Sequence, residues 1–293
     1  MNTSRHRTRR FLTHGLCALF MQAACVATVL AAPNDLPPLV EPASAERHVG
    51  KVVWVDLVTP DLDSAKRFYS GLFGWTFRNA HAGKTAYSVA LLDGLPVAGL
   101  FLRPLPAGEQ RQPAWLTFIA VADIEVAKRT ALEHGARIVS EPKSYPRRGR
   151  QAILADPEGA VFAVLASSSG DPADFLAVPG EWIWSSLMVK DPEKEAAFYQ
   201  AVFGYDVFDL QNDDDVDHVI LSTDDFARAS VNAFHRDPAR HRPHWFNFVR
   251  VVDALRRPPG SLRWAGACWS SLTPIATARR WRSSPARPER PLD

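Results

Sequence analysis

Asp56 and Tyr87 are the side chains of this chain best suited to moving a proton. Asp56 lies in the alternating segment "KVVWVDLVT", on the face it shares with Trp54 and Val58. A carboxylate there serves as a general base if a substrate comes within hydrogen-bond reach, with Tyr87 as the phenol beside it. The same carboxylate also suits a purely structural place, hydrogen-bonded to neighbouring strand ends, because buried carboxylates are normally paired. Three other clusters invite a chemical reading. Arg147-Arg148-Gly149-Arg150 is either a clamp for an anionic ligand or a solvated basic loop. Asp213-Asp214-Asp215 with Asp217 lacks the alternate spacing and the glutamate of a calcium loop and is expected to be a charged hairpin turn. His235, His241 and His244 sit among two prolines and three arginines, which favours a linker over a zinc site.

The elements that must hold these groups follow from the hydrophobic pattern. In "KVVWVDLVT", Val53, Val55 and Leu57 share one face, and Trp54, Asp56 and Val58 the other. Asp61-Leu62-Asp63-Ser64 is expected to cap a helix whose apolar stripe is Ala65, Phe68, Tyr69, Leu72 and Phe73, ended by Gly74 and packed on the Val53-Val55-Leu57 face. Strands follow through "TAYSVALLDG" and "PVAGLFLRP". The same grammar recurs from Pro113: a strand "AWLTFIAVA", a helix "DIEVAKRTALEHG", then strands through "ARIVSEP", "RQAILADPEG" and "VFAVLAS". A helix over one face of a curled antiparallel sheet leaves the concave face open, and two such units side by side enclose a cup. Its expected lining is Trp54, Val58, Leu116, Phe118, Val161, Ala163 and Leu165, with Asp56 as the polar point. Such a surface either stacks on a flat apolar ligand or closes on itself as core.

A second repeat operates on a larger scale. Trp54, Leu57, Asp61, Phe68, Tyr69, Phe73 and Gly74 return at a constant offset of 130 as Trp184, Leu187, Asp191, Phe198, Tyr199, Phe203 and Gly204. Further on, Pro113, Trp115, Phe118, Val121 and Asp123 return as Pro243, Trp245, Phe248, Val251 and Asp253. A chain of 293 residues has room for about two ordinary domains. The second copy stops short: from Leu255 the chain is rich in arginine, Pro258-Pro259 would break the expected helix, and no "DPxG" appears where the offset requires it. A shift of reading frame after about Ala254 would explain all three features.

The segments "TPDLDSAKRFYSGLFGW", "ADIEVAKRTALEHGARIVSEP" and "ADPEGAVFAVL" resemble the vicinal oxygen chelate (VOC) superfamily of glyoxalases, extradiol dioxygenases and bleomycin-resistance proteins. The resemblance covers about residues 50–168 and again 181–254. It implies an α+β fold of tandem VOC domains, each made of paired βαβββ units forming a curled antiparallel sheet with helices on the convex face, the second domain incomplete. Enzymes of the superfamily bind a divalent metal through a histidine in the first strand of each unit and a glutamate in the last. Here the histidine positions hold Trp54 and Leu116, and a glutamate position holds Ala163. The strand "VAGLFLRP" offers no carboxylate, and the second copy has Trp184 and Phe246 at the histidine positions. Apolar groups cannot ligate a metal. No cofactor is therefore expected, and a divalent metal finds no support in the ligand positions.

Residues 1–32 carry Arg5, Arg7, Arg9 and Arg10 ahead of an apolar run from Phe11 to Ala32. This pattern is expected of an export signal. "QAAC" ending at Cys25 resembles a lipoprotein box, so Cys25 is a candidate lipidation site, and "TRRFL" resembles a twin-arginine start. An uncleaved anchor helix is the alternative. The expected organisation is a leader (1–32), a Pro-rich linker (33–49), a first VOC domain (50–168), a linker (169–180), a partial second domain (181–254) and an aberrant tail (255–293). The setting is the bacterial periplasm, free or tethered to the membrane through the N-terminus. Cys268 is the only cysteine beyond the leader, so the folded part needs no disulfide.

A net charge of +2, from 34 basic and 32 acidic residues, gives no field suited to nucleic acid. The partner sought is a small molecule. Two function classes stand: a protein binding a small apolar or aromatic compound in the first cup, or an enzyme of the lyase, isomerase or dioxygenase type using a non-standard site at Asp56 and Tyr87. A purely structural role in assembly is the third.

Overall fold

Aspartate caps start all three helices of the computed structural model, which describes residues 36–106, 113–210, 218–234 and 241–253. Strand β1 (Val52–Thr59) leads to α1 (Leu62–Phe73), and then to β2 (Thr76–Ala82), β3 (Thr85–Leu92) and β4 (Leu95–Leu102). The second unit is β5 (Ala114–Ala120), α2 (Ile124–Glu133), β6 (Arg137–Tyr145), β7 (Gly149–Ala155) and β8 (Val161–Ser167). The third is β9 (Trp182–Val189), α3 (Pro192–Phe203), β10 (Asp206–Leu210), β11 (His218–Thr223) and β12 (Phe226–Ala233), followed by β13 (His244–Val249). Asp61 accepts from the Ser64 amide at 2.9 Å and Asp191 from the Lys194 amide at 3.1 Å, while Asp123 accepts from Glu125 and Val126. Gly74 and Gly204 close α1 and α3 in the left-handed region at φ 73°.

Eight strands form one sheet in the order β2-β3-β4-β1-β5-β8-β7-β6, and five form a smaller one, β10-β11-β12-β9-β13. The expected fold class holds, with a refinement: the curled sheets are mixed. Each helix returns the chain to the start of its unit, so the second strand runs with the first, and two hairpin reversals leave the last strand parallel to it. Hence β1 pairs with β4, β5 with β8 and β9 with β12 in parallel, while the remaining pairings are antiparallel. In the second sheet β13 stands where β5 stands in the first.

The face assignment in β1 needs one correction. A bulge between Val52 and Trp54 turns Val53 to the same side as Trp54, while Val52 packs with Val55 and Leu57 against α1. One extra residue in a strand reverses the alternation on one side of it. Tyr69, Phe73, Trp75, Trp115 and Trp182 complete the α1 side, with Trp75 fully buried and donating to the Gly180 carbonyl at 2.9 Å.

The β5–β8 unit shares its core with the second sheet instead of closing its own. Ile119, Leu154, Phe162 and Val164 pack with Ala127 and Ala131 of α2 and with Leu187, Phe198, Tyr199 and Phe203 of the next copy. The offset of 130 is repeated in atomic detail. Trp115 donates its indole N–H to Tyr69 at 3.1 Å, and Trp245 donates to Tyr199 at 3.0 Å. Thr117 and Asn247, which occupy equivalent positions, bond each other at 2.9 Å, as groups on a local two-fold do.

Among the described residues no helix is long and apolar enough to cross a membrane. The leader with Cys25, the cluster Asp213–Asp215 with Asp217, His235 and the tail from Leu255 lie outside the described residues.

Candidate functional site

The concave face of the first sheet holds a compact polar cluster set in an apolar bed. Asp56 sits in β1 between Gly99 of β4 and Leu116 of β5 in the strand register. Its Oδ1 accepts from the Tyr87 hydroxyl at 2.6 Å and from the Trp54 indole at 2.8 Å, and that indole lies 3.3 Å from the Tyr87 oxygen. Gly99 makes this approach possible, because a Cβ there would lie 1.7 Å from the Tyr87 oxygen and 2.0 Å from Asp56 Oδ1. Burial raises the Asp56 pKa above the usual carboxylate range, with Arg148, Tyr87 and Trp54 pulling it partly back. Burial and the Asp56 charge push Tyr87 well above an ordinary phenol.

Arg148 closes the cluster from above. Its guanidinium carbon lies 4.0 Å over the Trp54 ring, and its Nε donates to the Pro37 carbonyl at 2.6 Å. The residue is 1% exposed, and its Nη2 has no hydrogen-bond partner among the described residues. The basic loop thus divides: Arg147 and Arg150 pair with Glu41 and Glu125 near the surface, while Arg148 turns inward. Gly149 enables the turn at φ 116°, where a Cβ would meet the Ala166 carbonyl at 2.1 Å.

Of the residues expected to line the cup, Trp54, Asp56, Leu116, Phe118, Ala163 and Leu165 are buried there, the apolar ones in one cluster with Tyr87. Val58 is half-buried and Val161 is 42% exposed; neither joins that cluster. The cup is covered by part of the Pro-rich segment 33–49, whose composition reads as a linker. Leu36 is 4% exposed within the cup's apolar cluster, Leu39 packs on its edge, and the amides of Leu39 and Val40 donate to Ser169 Oγ at 2.9 and 3.2 Å. Replacing Ser169 with alanine should speed amide hydrogen exchange at Leu39 and Val40 about thirtyfold, since one hydroxyl anchors both at roughly 1 kcal/mol per bond. Unchanged exchange there would show that the hydroxyl does not hold the strap.

Signals for the missed parts were faint. Arg148 reads like its basic neighbours until its burial is known, Gly99 hides in an apolar strand, and nothing in Leu36-Pro37-Pro38 announces that it plugs a cup.

The second sheet repeats the cup in neutral form. Trp184 donates to Ser230 at 3.1 Å, and Ser186, at the Asp56 position, lies 2.7 Å from the Ser230 hydroxyl. His241 stacks on Phe234, and His244 lies 2.6 Å from the Arg242 carbonyl through Nδ1. Among the described residues no three His, Cys, Asp or Glu side chains gather in a way that could hold a metal ion.

A second ionisable cluster joins the two copies. Asp156, in the turn between β7 and β8, accepts from the amides of Gly159 and Ala160 and from the Tyr199 hydroxyl at 3.1 Å. Glu158 accepts from the amides of Lys190 and Asp191 at the start of α3. Glu195, fully buried in α3, shares this site with Asp156. Burial and the Asp156 charge push Glu195 up to about 8, and burial pushes Asp156 up to about 6.

Comparison with known proteins places the chain in a family. The family model described as Glyoxalase/Bleomycin resistance protein/Dioxygenase superfamily matches residues 51–164. A Mycobacterium tuberculosis protein named "Putative glyoxylase CFP32" is 30% identical over 216 residues, covering 73% of this chain and 82% of the relative. The anthracycline biosynthesis protein DauV of a Streptomyces species is 31% identical over 167 residues, covering 53% of this chain and 61% of that protein. Among solved structures, the Mn(II)-bound glyoxalase from Novosphingobium aromaticivorans aligns with a TM-score of 0.46 at 18% identity, covering 64% of this chain and 62% of that one. The chain belongs to the glyoxalase/bleomycin resistance protein/dioxygenase superfamily.

Proposed function

We propose that this protein binds a small planar, aromatic molecule in the cup of its first sheet, without the metal of its enzymatic relatives. One observation carries the reading: an indole, a carboxyl, a phenol and a guanidinium are buried together beneath a peptide strap tied down through Ser169. A cup serving only as core would gain more from apolar side chains than from four polar groups that must satisfy one another. Their chemistry also opposes a bound metal, because Asp56 is the only carboxyl among them, its Oδ1 already accepts from two donors, and a cation would meet the Arg148 charge. Trp54 offers the stacking surface, Leu116, Phe118, Ala163 and Leu165 the apolar walls, and Asp56 with Tyr87 the orienting hydrogen bonds. Relatives named for anthracycline biosynthesis agree with a fused-ring ligand. The leader fits a protein that meets its ligand outside the cytoplasm, free in the periplasm or tethered through Cys25.

A second reading is favoured by the state of Asp56, a buried carboxyl bonded to a phenol and held above its usual pKa, as general bases often are. Asp56→Asn separates the two. For a binding protein the dissociation constant of an aromatic probe such as 2-naphthol, measured by calorimetry, should change by no more than about fivefold, roughly one hydrogen bond. If the wild type turns over a carbonyl or phenolic substrate and Asp56→Asn loses that turnover by 100-fold or more, as removal of a general base does, the enzyme reading replaces the first.

A further inference from the structure

Arg148 presents a two-donor edge of which only half is used. In a guanidinium, Nε–H and the Nη2–H beside it point the same way, and a carboxylate fits them side by side with two parallel hydrogen bonds. Here a single oxygen, the Pro37 carbonyl, accepts from Nε at 2.6 Å, and Nη2 is buried with no partner among the described residues. A buried donor left unsatisfied is costly, so this arrangement is not the best that the edge can achieve. The Pro37 carbonyl stands where one oxygen of a carboxylate would sit, and Leu36 stands in the apolar space over the cup.

We propose that the strap Leu36–Val40 is a built-in occupant of the cup, and that the ligand which displaces it is an aromatic carboxylate, its two oxygens on Nε and Nη2 of Arg148 and its ring in the place of Leu36. This inference rests on the ligand-binding reading above and names the ligand class for that site. The surroundings accept such a ligand. Trp54 lies under the guanidinium, so a ring attached to the carboxylate is led along an aromatic wall. The strap's hold is modest, with two amides on one Ser169 hydroxyl and one carbonyl on Arg148. Asp56 places a carboxyl near the incoming one, and a proton on Asp56 removes the like charge while Tyr87 and Trp54 keep it in position.

Because strap and ligand compete, the apparent affinity is the intrinsic affinity reduced by the fraction of molecules with the cup open. The test uses the full chain and two probes with the same ring system, 2-naphthoate and 2-naphthylmethanol, titrated by calorimetry into the wild type, Leu36→Ala, Arg148→Lys and Arg148→Met. Naphthoate is expected to bind at least 30-fold more tightly than the alcohol. Leu36→Ala should tighten both about tenfold, as loss of a buried leucine anchor weakens the strap. Arg148→Lys, which keeps the charge but not the paired edge, should weaken naphthoate about tenfold and leave the alcohol within a few-fold. Arg148→Met should erase the preference and, because it also frees the Pro37 carbonyl that holds the strap, bind the alcohol at least as tightly as the wild type does, which shows that the variant is folded. Equal affinity for the two probes in Leu36→Ala overturns the carboxylate assignment and leaves the binding reading standing. Affinities unchanged by Leu36→Ala overturn the displacement of the strap. Failure of both probes to bind the wild type and Leu36→Ala overturns the inference and the binding reading together.

Discussion

Gly99→Ala should destabilise the protein by roughly 3 kcal/mol, the sum of an overpacked core and a lost hydrogen bond, and lower its melting temperature by about 6–12 °C. The cause is local. The new methyl would lie 1.7 Å from the Tyr87 oxygen and 2.0 Å from Asp56 Oδ1, where ordinary contacts exceed 3 Å. Tyr87 is 2% and Asp56 8% exposed, so neither can swing into solvent. Either the 2.6 Å hydrogen bond between them breaks, or β4 moves away from β1 along the register that sets Gly99 beside Asp56. Both outcomes also displace the Trp54 indole that bonds the same carboxyl oxygen. Calorimetry of the variant reads the loss. A melting temperature equal to wild type would show that the three side chains do not meet over Gly99.

The largest effect of pH should come from the junction of the two copies. Glu195 is raised to about 8 from an ordinary 4.5, and Asp156 to about 6 from 3.8, so the folded protein holds protons that the unfolded chain releases. For acids with raised folded values the stabilising contribution is complete below the unfolded pKa and is lost as pH climbs through the folded one. The urea midpoint of the wild type should therefore fall from about pH 4.5 to pH 8 and level off above. The groups facing Glu195 define this response: Asp156 with its two amide donors, Glu158 at the start of α3, and the hydroxyl of Tyr199, itself held neutral by burial and the Asp156 charge. Glu195→Gln keeps the shape and cannot ionise. Its midpoint should be flat between pH 6.5 and 8 and at least equal to the wild type at pH 8. Parallel pH curves for the two proteins would contradict the raised Glu195 value as the source of the pH dependence.

The large-scale order of the fold was legible because it rests on repetition and on strong local signals. Asp61, Asp123 and Asp191 announce helix starts, and Gly74 and Gly204 announce ends, through groups within three or four residues of one another. The cup was legible to the extent that alternation holds. It failed at Val53, since a bulge leaves no mark in a run of valines. Features set by distant segments stayed hidden. The inward turn of Arg148 depends on a carbonyl 111 residues away, and the plug depends on Ser169 meeting amides 130 and 129 residues earlier. The core shared by α2 and α3 was also invisible, because each copy taken alone has enough apolar residues to suggest a core of its own.

The central claim is that Trp54, Asp56, Tyr87 and Arg148 form a ligand site beneath a removable strap. The most direct measurement is a nitrogen–proton correlation spectrum of the full chain titrated with 2-naphthoate, with the Trp54 indole assigned by its absence in Trp54→Phe. The Trp54 indole and the amides of Leu39 and Val40 should shift together, at one saturating concentration, while the Trp75 indole, bonded to Gly180 behind the sheet, stays in place. A titration that moves other resonances and leaves Trp54, Leu39 and Val40 unmoved would place binding elsewhere and contradict the claim.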